Sequence, residues 1–83
     1  MRISRAGVPL TLTPHEYRLL AYLMLHAGRV VPVTELIEQL YGHDSDKDAN
    51  AIEVLIGRVR RKIGLDMIET RRGFGYVVDK DGA

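Results

Sequence analysis

Residues 49–78 read ANAIEVLIGRVRRKIGLDMIETRRGFGYVV, and this stretch decides the fold. In its first half Ile52, Ile56, Val59 and Ile63 recur at steps of four, three and four, the spacing of one buried helix face. At roughly 100° per residue, the opposite face carries Asn50, Val54, Gly57, Arg58 and Arg61. Leu55 falls on the flank next to Arg58, Lys62 continues that flank, and Arg60 lies on the other side beside Glu53. The pattern predicts a helix from about Ala49 to Ile63, closed by Gly64. In the second half, Met67–Thr70 and Phe74–Val78 are short runs of strand formers separated by Arg71, Arg72 and Gly73. They predict a hairpin with an arginine-bearing tip.

Upstream, two further helices are legible. Thr13, Pro14 and Glu16 form a start signal: a hydroxyl to accept from the first turn, a proline at the first helical position, and a carboxylate to complete a capping box. Tyr17, Leu20, Leu23 and Met24 follow at helical spacing, with Leu19 widening the stripe, and Ala27-Gly28 stop the helix near His26. Val30 and Val31 can add a short strand. A second helix runs from about Val33 to Tyr41 with Leu36, Ile37 and Leu40 on its apolar face. Pro32 precedes it where a capping Ser or Asp would serve better. Residues 42–48 have no periodicity and predict an exposed acidic loop. At the front, Ile3–Arg5 and Val8–Leu12 around Ala6-Gly7 predict a hairpin whose Pro9 marks an edge strand. Residues 79–83 are expected to fray. The whole, residues 1–83, reads as one α+β, mainly α, winged helix–turn–helix domain: three helices, a short N-terminal hairpin and a C-terminal hairpin wing.

Composition narrows the function. The chain has 83 residues and a net charge of +1, but the charge is unevenly spread. Arg58 to Arg72 holds six basic residues against two acidic ones, whereas the rest holds six against nine. A basic block on a neutral chain is either a solvated helix face or an electrostatic footprint for nucleic acid. There is no Cys, which excludes disulfides and thiolate metal sites and suits a reducing cytoplasm. No apolar run nears the roughly 20 residues of a membrane helix, and no signal-peptide pattern opens the chain. His15, His26 and His43 have no metal-ligand spacing, the Asp44–Asp48 loop lacks the downstream Glu of a calcium loop, and no nucleophile–base pattern surrounds Ser4 or Ser45. No metal, cofactor or catalytic residue is expected, and the chain is not read as an enzyme. Gly73 and Gly75 read as ordinary turn glycines, and Tyr76 as half-buried packing with its hydroxyl at the surface.

Leu12–Leu20, Gly28–Val31, Leu36-Ile37, Leu40–Gly42, Val54–Ile63 and Ile68–Tyr76, in this order and spacing, resemble the effector domain of OmpR/PhoB-type response regulators. The resemblance covers the chain from about Leu10 to Val78. It implies sequence-specific binding of double-stranded promoter DNA for transcriptional control, with the third helix in the major groove and the wing, about 70–75, in the minor groove. It implies that Arg58 reaches base edges and that Val54 makes apolar contacts with thymine methyls. Asn50, Arg60, Tyr76 and Tyr41 contact the backbone. Arg72 enters the minor groove with Thr70 beside it, and Leu55 and Arg61 complete the DNA-facing set. Leu55 stands where many relatives have His, and Gly57 where many have a polar or basic residue, so affinity and preferred sequence should differ from theirs. Gly57 also costs about 1 kcal/mol of helix stability relative to Ala.

The resemblance further implies tandem direct-repeat sites, contact of the 42–48 loop with RNA polymerase, and a domain that is monomeric off DNA. A phosphate-accepting receiver, served by a sensor histidine kinase, and two further front strands would lie outside this chain. A winged helix that binds protein instead would leave Arg58 and Arg72 dispensable. The salt dependence of binding to duplex DNA separates the two.

Overall fold

The computed structural model describes residues 2–5, 8–43 and 46–79; the expected Ala6-Gly7 turn, part of the acidic loop and residues 80–83 lie outside them. Strands β1 (Arg2–Arg5) and β2 (Val8–Thr11) pair antiparallel, with Ser4 opposite Pro9. Helices α1 (Pro14–Leu25), α2 (Val33–Tyr41) and α3 (Ala49–Ile63) follow, and β3 (Ile68–Arg71) and β4 (Gly75–Val78) close the chain as an antiparallel wing.

The local signals act as their chemistry requires. Thr13 Oγ1 accepts from the Glu16 N–H at 3.3 Å, and Glu16 Oε1 accepts from the Thr13 N–H at 2.9 Å, so the capping box of α1 is complete. Pro32 gives α2 no side-chain cap. Asp48 caps α3 by accepting from the Asn50 N–H at 3.0 Å. From the sequence Asp48 is assigned to the acidic loop, although an Asp directly before an apolar-periodic run is a helix start signal.

The core lies where the three helices and the wing meet. Leu19, Leu23, Leu36, Ile52, Ile56 and Val59 are fully buried in it. The apolar face of α1 is rotated from the expected stripe: Glu16, Leu19, Leu20 and Leu23 are buried, whereas Tyr17 is half-buried and Met24 exposed. Both α2 and α3 lie against α1, and Leu19 and Leu23 are its most deeply buried side chains.

Val31 adds a strand-like bridge to the wing. Its N–H donates to the Tyr76 carbonyl at 2.7 Å, and the Tyr76 N–H donates back at 3.0 Å. The approach is so close that a Cβ on Gly75, where φ is +149°, would lie 2.0 Å from the Val31 carbonyl oxygen. Gly75 is therefore more than the ordinary turn glycine expected of it. Any other residue there would push β4 off the helical body.

Candidate nucleic-acid interface

Helix α3 presents its outward face as its period dictates. Asn50, Val54, Arg58 and Arg61 are exposed along it, Val54 to 45%. Among the described residues, neither Arg58 nor Arg61 makes a hydrogen bond or ion pair. Gly57 sits between them with open space where a Cβ would go.

Leu55 departs from its expected place. It is 5% exposed and belongs to the core cluster, so its side chain packs inward and not with the outward face of Arg58. The apolar face of α3 is wide enough to take in Leu55 with Ile52, Ile56 and Val59. An apolar residue on a helix flank gains more from packing than from water, roughly 25 cal/mol per Å² buried.

The basic run divides by partner. Lys62 Nζ donates to Glu16 Oε1 at 2.6 Å and to the Thr11 carbonyl at 3.1 Å. It serves Glu16, a carboxylate only 2% exposed. Burial pushes the Glu16 pKa up, but the hydrogen bond from Lys62 and those from Thr13 outweigh it, and the carboxyl lies below its ordinary value. Arg60 turns to the wing instead. Its Nε and Nη2 donate to the Ile68 carbonyl at 3.2 and 2.7 Å, and Nη2 also donates to Thr70 Oγ1 at 2.8 Å. The same guanidinium stands 6.0 Å from the centroid of the Tyr76 ring. The sequence placed Arg60 beside Glu53 but gave no sign of this link, because its partner is a backbone carbonyl.

The wing tip is held by a hydrogen bond from the Phe74 N–H to the Arg71 carbonyl at 2.9 Å, with Gly73 at φ +80°. Arg71 pairs with Glu69 at 3.0 Å. Arg72 is exposed and has no partner among the described residues. Phe74 beside it is 75% exposed. Thr70 is exposed, and its hydroxyl, already accepting from Arg60, keeps its proton to donate.

Tyr76 is 7% exposed, more buried than expected. Its hydroxyl makes no hydrogen bond, yet no buried side-chain oxygen or nitrogen among the described residues lacks a partner, so the hydroxyl reaches the surface. Burial, then the negative charge of Glu53, push its pKa up against the opposing charge of Arg60, and it stays a neutral donor. Tyr41 is half-buried at the end of α2, its ring 4.8 Å from that of His15 and 5.7 Å from Lys47 Nζ. An open groove of about 600 Å³ lies between the wing, Glu53 and the start of α2.

A second polar cluster lies apart from this face. Glu35 accepts from Arg29 Nη1 and Nη2 at 3.2 and 2.6 Å and from the Tyr22 hydroxyl. The Arg29 hydrogen bonds, then that from Tyr22, hold the Glu35 carboxyl down to about 2. Among the described residues no group of three His, Cys, Asp or Glu side chains could hold a metal ion, and no helix is long and apolar enough to cross a membrane.

The family profile described as "Transcriptional regulatory protein, C terminal" matches residues 7–78. The chain is 52% identical over 73 residues to the two-component response regulator PhoP of Pseudomonas aeruginosa, a match covering 83% of this chain and 32% of that protein. The chain thus spans about a third of the length of the curated relatives it matches. Among solved structures, it is similar to the C-terminal domain of the nisin resistance regulator NsrR, with 36% identity, a TM-score of 0.80, and coverage of 96% and 85% of the two chains. It is also similar to the Klebsiella pneumoniae RstA DNA-binding domain in complex with the RstA box, with 27% identity, a TM-score of 0.82, and coverage of 95% and 83%.

Proposed function

From the premise that this chain belongs to the family of transcriptional regulatory protein C-terminal domains, of the OmpR/PhoB response-regulator type, we propose how its surface engages DNA. It is a winged-helix DNA-binding domain of a transcriptional regulator, not an enzyme. Helix α3 enters the major groove, which is about 12 Å wide and admits one helix. Arg58 reaches base edges there, Val54 meets thymine methyls, and Arg61 and Asn50 contact the flanking strand. Arg72 enters the adjacent minor groove, whose negative potential favours a guanidinium. Thr70, the Tyr76 hydroxyl and Tyr41 donate to phosphates and set the register. Leu55 has no part in it.

One observation carries this reading. Arg58 and Arg61, which have no partner among the described residues, share the outward face of α3, and Arg72 stands at the tip of the hairpin fixed beside it. A positive charge left unpaired on a rigid element is available to a phosphate or a base. The test is selection of the preferred site from random duplex DNA, followed by base-substitution profiles. Arg58→Ala should cost about 1–3 kcal/mol on the preferred site and relax specificity at one or two base pairs. Arg72→Ala should reduce preference for A·T-rich flanks. Unchanged binding in both variants would leave the face without a DNA role.

The longer regulator binds tandem direct repeats and receives its phosphoryl group on a receiver domain from a sensor histidine kinase. The 42–48 loop faces RNA polymerase, while the isolated domain is monomeric off DNA. The support is the likeness to the PhoP response regulator together with the exposed, acidic character of the loop at Asp46 and Asp48. Asp46→Ala in the longer regulator should change transcription and leave DNA affinity unaltered. A large affinity loss in a folded variant counts against the assignment.

A further inference from the structure

We infer that Arg60 is a positioning residue: its guanidinium fixes the wing against α3 and so sets the spacing between the major-groove contacts of Arg58 and Arg61 and the minor-groove contact of Arg72, instead of binding a phosphate itself. The inference rests on the DNA-binding reading above and departs from the backbone-contact role expected of Arg60 from the sequence. Its grounds are geometric. The wing has two strands, held to the body in different ways. Strand β4 is tied through the paired hydrogen bonds of Val31 and Tyr76. Strand β3 pairs, among the described residues, only with β4. Its Ile68 side chain is buried in the core, and the hydrogen bonds that tie β3 to the recognition helix come from Arg60, through two donors on the Ile68 carbonyl and one on Thr70 Oγ1.

Those three hydrogen bonds come from a rigid planar fork, so they fix the angle of β3 as well as its distance from α3. They are charge-assisted, and such bonds are roughly twice as strong as neutral ones. A guanidinium turned to a carbonyl and a hydroxyl inside its own chain has two of its three nitrogens committed. Arg58 and Arg61, two residues before and one after, commit none among the described residues. The contacts also fall at two points along the strand that leads to the tip. Ile68 lies at the start of β3, and Thr70 is two residues before Arg72. Holding these points limits how far Arg72 can swing relative to Arg58. The two grooves of a duplex lie at a fixed separation, so a fixed separation of the two arginines converts groove spacing into specificity.

The experiment compares the wild-type chain with Arg60→Lys, which keeps the charge but loses the fork, and Arg60→Gln, which loses both. Three quantities are read on each. Amide hydrogen exchange of residues 69–75 is measured without DNA. The salt slope is measured on the selected duplex. The third is the affinity ratio between that duplex and one carrying an extra base pair between the major-groove site and the A·T flank. For the wild type this spacing penalty should be roughly tenfold, as for a mismatched position.

A positioning role predicts wing exchange about tenfold faster in both variants. It predicts a spacing penalty that collapses toward unity in both and an unchanged salt slope. A phosphate contact predicts the reverse. Wing exchange would stay at the wild-type rate, Arg60→Lys would keep the spacing penalty, and Arg60→Gln would lower the salt slope by about one unit; that pattern overturns the inference. Arg60→Lys decides the matter alone if Arg60→Gln does not fold. A wild-type chain with no preference among duplexes would refute the DNA-binding reading, while the DNA-free exchange still reports whether Arg60 holds the wing.

Discussion

An added methyl group has opposite consequences at two glycines. At Gly75 it would meet the Val31 carbonyl oxygen at 2.0 Å, in a chain region where φ is already +149°. At Gly57 it would meet nothing within 4 Å, on a helix with ordinary backbone angles. Gly75→Ala should therefore destabilise by about 3 kcal/mol or more, because strain and the lost bridge to Val31 act together. Gly57→Ala should stabilise by about 1 kcal/mol, the usual difference between the two residues inside a helix. Urea denaturation of the two variants checks both. Equal midpoints would mean that β4 can move away from Val31 at no cost. Side-chain partners divide the arginines in the same way. Arg58, Arg61 and Arg72 have no partner among the described residues, and Arg60 is engaged within the chain.

Helix α3 has two jobs on two faces, and its basic residues are shared between them. The outward face offers Arg58 and Arg61, while Lys62 reaches back to Glu16 at the start of α1. Lys62→Met should therefore reduce stability more than it reduces DNA affinity. The loss should be about 1–3 kcal/mol, the cost of leaving a buried acceptor short of a donor, because Thr13 still donates to Glu16. Arg61→Ala should do the opposite, leaving stability unchanged and lowering the salt slope by about one unit. Thermal unfolding and salt titration on the same two variants separate the roles. An affinity loss in Lys62→Met matching that of Arg61→Ala, at equal stability, would show that Lys62 also reaches DNA.

Across the whole molecule, two depressed carboxyls tie helices together. Glu16 joins α1 to α3 through Lys62, and Glu35 joins the start of α2 to Tyr22 of α1 and to Arg29. Both have folded pKa values below the ordinary 4.5, Glu35 at about 2. A carboxyl whose pKa is lower folded than unfolded contributes stability that is fully present above the unfolded value. That stability is lost as pH falls toward the folded value. The contribution of these two carboxyls should thus be constant above about pH 5, and stability should fall between pH 4.5 and about 2 on account of Glu35. Glu35→Gln should flatten that acid limb and leave the neutral region with a lower, nearly constant stability. An acid limb of unchanged steepness in Glu35→Gln would assign it to other carboxylates.

The sequence by itself determined the three helices, the wing and the outward arginine face. Each rests on signals local to a few residues: the capping box at Thr13 and Glu16, the four-three-four spacing from Ile52 to Ile63, and the Arg72-Gly73 tip. Such signals depend on hydrogen bonds and periodicity within one element, so a linear reading reaches them. Only the tertiary structure decided which basic residues of α3 are engaged within the chain. Arg60 is turned inward by a backbone carbonyl eight residues away, and Lys62 by a carboxylate 46 residues away. The same holds for Leu55, for the rotation of the α1 face, and for Gly75. Each is set by what another element brings alongside, and sequence spacing does not encode the distance between elements that pack together.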